Sequence, residues 1–221
     1  MTLVYNIFYN LSKLLARVFF GLRVIHPEHM PESGPLIIAV NHSSFVDPPL
    51  AGICSRRGVY YLARKSLLKW PFFGPLFPAM NVIPVDRDGN DMTALREVIR
   101  KIRDGNAVVL FPEGTRSPDG RLQPARAGIG LVIAKTGAPV LPMRIFGAHE
   151  AFPKNAKSLR APQITIVLGR PVHFSPAEID QSDRSTYQRL GDRVMSEISA
   201  LSLSGRVSGI DANAPLRSVS R

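Results

Sequence analysis

At 221 residues the chain is long enough for one domain with a substantial core, and 45% hydrophobic against 20% charged residues excludes disorder, collagen or coiled coil for its bulk. A single cysteine, Cys54, rules out an internal disulfide and a cysteine-based zinc site. With 28 Lys and Arg against 17 Asp and Glu, the net charge of +11 asks for an anionic partner: a phospholipid surface, a nucleic acid or an acidic carrier protein.

From Leu3 to Leu22 the apolar residues Val4, Ile7, Phe8, Leu11, Leu15, Val18 and Leu22 recur at helical spacing, opposite a stripe of Asn6, Asn10, Lys13 and Arg17. Polar residues interrupt every candidate run, so the segment is too broken for a spanning helix, which wants roughly 18 or more apolar residues. It also lacks the basic start and small-residue cleavage site of a signal peptide. Residues 1–30 are therefore expected to form an amphipathic segment at a membrane interface. Phe8, Phe19 and Phe20 would act as wedges, with Lys13, Arg17 and Arg23 near lipid phosphates. The same periodicity suits a terminal helix packed on the protein's own core, because amphipathicity does not name the apolar partner.

Further on, short apolar runs predict strands at Leu36 to Val40, Val59 to Ala63, Asn81 to Val85, Ala107 to Phe111, Val140 to Ile145 and Ile164 to Leu168. Helical patterns alternate with them at Asp91 to Asp104, Ala125 to Thr136 and Asp183 to Leu201, with Gly105 and Gly137 as C-terminal caps and Asp91 as an N-cap. This alternation predicts an α/β fold, a mostly parallel sheet flanked by helices, over residues 31–201. Residues 202–221, rich in Ser, Gly and Arg, are expected to be a disordered tail.

Chemistry-bearing residues cluster where predicted strands end, the place where open α/β sheets bind ligands. The first strand runs into Asn41-His42-Ser43-Ser44-Phe45-Val46-Asp47, and Pro48-Pro49 then opens a helix. His42 titrates in the range a general base needs, and Asp47 can reach back to its other ring nitrogen. Taken alone, the same pair is better explained as a simple helix cap, since so short a pattern arises freely. Val82-Ile83-Pro84-Val85 leads to Asp86-Arg87, whose guanidinium could grip a phosphate, and Val108-Val109-Leu110-Phe111 leads to Pro112-Glu113-Gly114-Thr115-Arg116-Ser117. Three such turns on one sheet edge are harder to dismiss as solvated loops than any one of them. Ser43, Ser44 and Ser117 lie in no nucleophile-elbow motif, and Cys54 has no base at readable spacing. His26, His29, His149 and His173 show no recognised metal-ligand spacing and read as surface or packing residues.

His42-x4-Asp47, the strand ending in Arg87, Phe111 to Ser117 and Val140-Leu141-Pro142-Met143-Arg144-Ile145 resemble, in order and spacing, the four motif blocks of the glycerolipid acyltransferases. The resemblance is strongest to the bacterial 1-acylglycerol-3-phosphate acyltransferases and spans residues 36–171. Asn81 and Pro84 depart from the Gly and Phe more usual in the second block. The resemblance implies transfer of an acyl group from acyl-CoA or acyl carrier protein to the sn-2 hydroxyl of 1-acylglycerol-3-phosphate, giving phosphatidic acid. It implies His42 as general base with Asp47 as its orienting partner. Arg87, Glu113, Gly114, Thr115 and Arg116 would bind the acceptor, the arginines on its phosphate and Glu113 orienting them or contacting the glycerol. It further implies no metal, no cofactor beyond the acyl thioester cosubstrate, and a peripheral or monotopic place on the cytoplasmic face of the inner membrane. Another lysophospholipid or a lyso-aminolipid would use the same chemistry.

No acidic residue lies between Asp47 and Asp86, whereas Arg56, Arg57, Arg64, Lys65 and Lys69 do, followed by Trp70-Pro71-Phe72-Phe73-Gly74-Pro75-Leu76-Phe77. That composition fits a lipid interface or an acidic donor with an acyl-chain tunnel beneath, or else a hydrophobic cover over the core. The charge alone also leaves open a non-catalytic basic module for anionic membrane or nucleic acid. With no glycine-rich phosphate loop, RNA-binding aromatic signature or zinc finger, no nucleic-acid partner is expected.

Overall fold

The computed structural model describes residues 2–69, 71, 74–86, 92–153, 155–156, 158–180 and 183–204. Arg87, the Asp91 cap, Trp70, Phe72, Phe73 and tail residues 205–221 lie outside the described residues.

Leu36 to Val40 is apolar without alternation because the strand it forms, β2 (Leu36–Val40), is buried on both faces at the middle of the sheet. Around it lie β1 (Arg23–Ile25), β3 (Val59–Arg64), β4 (Val82–Val85), β5 (Ala107–Leu110), β6 (Val140–Phe146) and β7 (Thr165–Leu168), in the order β1-β7-β6-β2-β5-β3-β4. The five strands β6-β2-β5-β3-β4 are mutually parallel, β7 is antiparallel to β6, and β1 is parallel to β7. Register pairs Ile37 with both Val108 and Val140, so the C-terminal ends of β2, β5 and β6 emerge together on one edge. Pro84, without an N–H to donate, is tolerated because β4 is the outermost strand. β1 was not expected: three residues are too few to show a period of two.

The alternation of β2 divides the core. Leu36, Ile38 and Val40 face one apolar layer, with Ala16 and Phe20 of α1 (Leu3–Phe20) and Leu50 and Ala51 of α2 (Asp47–Gly52). Ile37 and Ala39 face the other. That layer contains Val98 and Ile102 of α3 (Met92–Arg103), Ile129 and Ile133 of α4 (Ala127–Thr136), and Leu190, Val194 and Ile198 of α7 (Arg184–Ala200). Two single-turn helices, α5 (Ala148–Ala151) and α6 (Pro176–Ile179), complete the chain order. Gly137 ends α4 at φ 62°, and Gly105 follows α3 at φ 82°, the left-handed conformation expected of both caps.

The first helix packs on the core along one stripe only. Tyr5, Ala16 and Phe20 are buried, and the Tyr5 hydroxyl accepts the Val59 N–H at 3.0 Å, so one stripe of α1 seats on the protein's own core. Phe20, expected as a membrane wedge, is a core residue, because it falls on that inner stripe. A second stripe of Leu3, Ile7, Leu11, Leu14, Leu15 and Val18, with Phe19 beside it, is left exposed at spacings of three and four. Among the described residues no helix is long and apolar enough to cross a membrane.

Candidate active site

The turn after β2 is folded around one oxygen. Asp47, the first residue of α2 and fully buried, accepts at Oδ2 the backbone N–H groups of Ser43 and Ser44, both at 2.7 Å, and the imidazole Nδ1–H of His42 at 2.9 Å. Backbone N–H groups can only donate, so Oδ2 is an acceptor and the ring proton sits on Nδ1. The lone pair of His42 is thereby left on Nε2, the state of a base ready to take a proton. The imidazole stacks on Phe111 with centroids 4.0 Å apart and planes at 21°, and the aromatic face favours the ring when it becomes a cation.

Asn41 continues the sheet beyond its last backbone pair. Its side chain donates to the Ile145 carbonyl at 3.1 Å and accepts the Ile145 N–H at 2.7 Å, tying β2 to β6 next to His42. Ser44 Oγ donates to the Phe152 carbonyl at 2.8 Å, and the Ser117 hydroxyl donates to Asp119 at 3.0 Å, so both hydroxyls are engaged away from His42. Burial pushes the Cys54 thiol up to about 12, which removes it as a nucleophile near neutrality.

The turn after β5 is joined to the first one through the backbone of His42. Its N–H donates to Glu113 Oε1 at 2.9 Å, and its carbonyl accepts the Ser117 N–H at 2.7 Å. Glu113, for which an arginine partner or a glycerol contact is expected, accepts the backbone N–H of His42 at Oε1 and is only 2% exposed, while its Oε2 is buried with no hydrogen-bond partner among the described residues. Burial raises its carboxyl to about 7 against the hydrogen bond from His42, with the Asp47 charge adding to the rise. Gly114, at φ 69°, lets Arg126 lie over the turn, where a β-carbon would meet the Arg126 side chain at 2.6 Å. Arg126 escaped the sequence reading because it stands nine residues beyond the motif. The Arg116 guanidinium lies 3.5 Å from the ring centre of Phe45, three residues after His42. Thr115 is half-buried on the same turn.

His42, Asp47, Glu113, Gly114, Thr115 and Arg116 thus share one edge of the sheet, while Arg87 follows the described end of β4. Two cavities, of about 420 and 670 Å³, lie elsewhere, the first at the opposite edge beside Gly58 and Ala107 and the second between β4 and α3. Neither is lined by His42, so side-chain chemistry rather than depth marks this site.

The model of the family described as Acyltransferase matches residues 21–146, which include both turns and β6. The chain belongs to that family. A solved structure, the 1-acyl-sn-glycerophosphate acyltransferase PlsC from Thermotoga maritima, superposes with a TM-score of 0.70 at 28% identity, covering 89% of this chain and 80% of that one. A Bacillus subtilis 1-acyl-sn-glycerol-3-phosphate acyltransferase is 27% identical over 173 residues, 77% of this chain and 83% of its own. The chloroplastic 1-acyl-sn-glycerol-3-phosphate acyltransferase BAT2 of Brassica napus is 29% identical over 178 residues, 76% of this chain. The chain spans about half the length of such plant relatives, 51% in that case.

Glu113 makes folding pH-dependent. Its folded value near 7 lies above the ordinary 4.5, so between them the unfolded carboxyl ionises while the buried one keeps its proton, and stability falls as pH rises through this window. Glu113→Gln keeps the acceptor and cannot ionise, so the variant should gain on the parent by up to about 3 kcal/mol across the window. Urea unfolding from acid to mildly alkaline pH measures this, and identical pH slopes for the two proteins would refute it.

Proposed function

We propose that the chain transfers an acyl group from the thioester of acyl-CoA or acyl carrier protein to the sn-2 hydroxyl of 1-acylglycerol-3-phosphate, giving phosphatidic acid for phospholipid synthesis. The observation that carries the reading is the 2.9 Å contact between His42 Nδ1 and Asp47 Oδ2, which leaves Nε2 as the base. Family membership and the names of the relatives support the reaction class. His42 Nε2 takes the hydroxyl proton as the oxygen attacks the thioester carbonyl. The tetrahedral adduct then breaks its carbon–sulfur bond, and the imidazolium returns the proton to the departing thiolate. Asp47 keeps the ring in one tautomer and stabilises its cationic form. Glu113 acts through the His42 backbone as a positioning residue. Arg116, Arg126 and Arg87 supply cations for the acceptor phosphate, and Gly114 and Thr115 shape the turn that carries them.

In this reading residues 1–30 hold the 31–201 unit on the cytoplasmic face of the inner membrane, peripherally. The exposed leucine stripe of α1 enters the lipid boundary, and the net charge of +11 favours an anionic surface. No cofactor beyond the acyl thioester takes part in these steps.

A matrix of donors (acyl-CoA, acyl carrier protein) against acceptors (1-acylglycerol-3-phosphate, lysophospholipids with headgroups, a lyso-aminolipid) on purified protein tests the reaction. Transfer should be strongest to 1-acylglycerol-3-phosphate, and His42→Ala should remove about 10²–10⁴ of the rate without unfolding the chain. Transfer to none of the acceptors, or full activity in the variant, would reject the reading. Membrane seating is separable: Leu11→Ser with Leu15→Ser removes two exposed side chains worth roughly 1.5 kcal/mol or more each in lipid. Co-sedimentation with phosphatidylglycerol vesicles should drop at least roughly tenfold at unchanged melting temperature. Undiminished co-sedimentation would rule out α1 as the lipid contact.

A further inference from the structure

His26 and His29, which the sequence offers as surface or packing residues, are brought together with Glu28 by the fold. His26 follows β1 in a left-handed conformation, φ 58° and ψ 48°, uncommon for a residue other than glycine, and Pro27–His29 form a 3-10 turn immediately after it. The turn stacks the two imidazoles with centroids 4.9 Å apart and planes at 23°. It also sets His26 Nδ1 at 3.0 Å from Glu28 Oε1. One ligand atom from each of the three residues lies within 4.8 Å of the other two, and no other group of His, Cys, Asp and Glu does this among the described residues.

We propose that His26, Glu28 and His29 bind a divalent transition-metal cation of the zinc class, in a structural site separate from His42. Two imidazoles and a carboxylate are a common nitrogen and oxygen ligand set for such an ion, with water completing the shell. Metal–ligand lengths of about 2.0–2.1 Å place neighbouring tetrahedral ligands roughly 3.3 Å apart. The His26 and Glu28 contact is already close to that spacing, and the exposed Glu28 and the His26 ring can adjust toward His29, whose ring is held in place.

The second observation lies outside the cluster. His29 Nδ1 is 3.0 Å from the Leu168 carbonyl, which can only accept, so Nδ1 carries the proton and Nε2 keeps its lone pair. A ligating histidine almost always has its other ring nitrogen anchored in this way, fixing the tautomer that binds metal.

Position defines the role. β1 and β7 run opposite to the five parallel strands, so the turn after Ile25 and the end of β7 at Leu168 lie at the sheet edge away from His42. An ion there stiffens the turn that leaves β1, which the His29 contact with the Leu168 carbonyl ties to the end of β7, and it takes no part in acyl transfer.

The test is a calorimetric titration of metal-free, full-length protein with Zn²⁺ and, separately, Mg²⁺. One zinc ion per chain should bind, magnesium should not, and zinc should raise the melting temperature. His26→Asn and His29→Asn should each weaken zinc binding by roughly tenfold or more and abolish the thermal shift. Absence of saturable zinc binding in the parent protein, or binding that both variants retain undiminished, would overturn the proposal. Absence of binding to the parent overturns the proposal even if a variant misfolds, the two variants locate the ion when the parent binds it, and neither result depends on the acyl-transfer reading.

Discussion

One carboxylate oxygen organises the site. Asp47 Oδ2 gathers the N–H groups of Ser43 and Ser44 and the imidazole of His42 at 2.7, 2.7 and 2.9 Å. An acceptor on the first residue of α2 also lies where the helix dipole favours negative charge, so the helix start and the histidine partner are the same group. Hydrogen bonds to a charged group are roughly twice as strong as neutral ones, and here they are sheltered from water. Losing the carboxylate would leave two buried backbone donors unmatched as well as a free imidazole. The spacing of four residues between His42 and Asp47 is therefore a folding constraint before it is a catalytic one.

That turn would still be free to move as a unit if only β2 held it. Three neighbours prevent this: Asn41 bridges to Ile145, Ser44 to the carbonyl of Phe152, and the His42 backbone to Glu113 and Ser117. The sheet brings β2, β5 and β6 to one edge, and these bonds turn a shared edge into fixed relative positions. The cost is a carboxyl buried at Glu113 with a raised pKa, a local instability above neutral pH that holds His42 in place.

Much of this was legible in the residues. Continuous apolar runs located β2 and β5, and strand-end motifs marked the edge on which His42 and Glu113 meet, because parallel strands share their C-terminal side by construction. What escaped has particular causes. β1 is three residues long and shows no period. Phe20 looks like any exposed aromatic until the packing stripe of α1 is known. The bond from the His42 N–H to Glu113 could not be seen in the sequence, because it depends on where the backbone after β2 meets the turn after β5. Arg126 reaches Gly114 only through the return of the chain at α4, and the stacking of His26 on His29 follows from a positive φ that a histidine does not announce.

α1 carries the same lesson in energetic form. A single amphipathic pattern concealed two apolar stripes, one seated on the core through Ala16 and Phe20 and one left in solvent through Leu11, Leu14 and Leu15. The central claim, however, concerns one proton. Nitrogen-15 NMR of ring-labelled protein at neutral pH reads it directly: the account requires a protonated Nδ1 and a bare Nε2 on His42, with that order lost in Asp47→Ala, which removes the acceptor. A resting ring protonated at Nε2, or a tautomer unchanged by the Asp47 substitution, would contradict it.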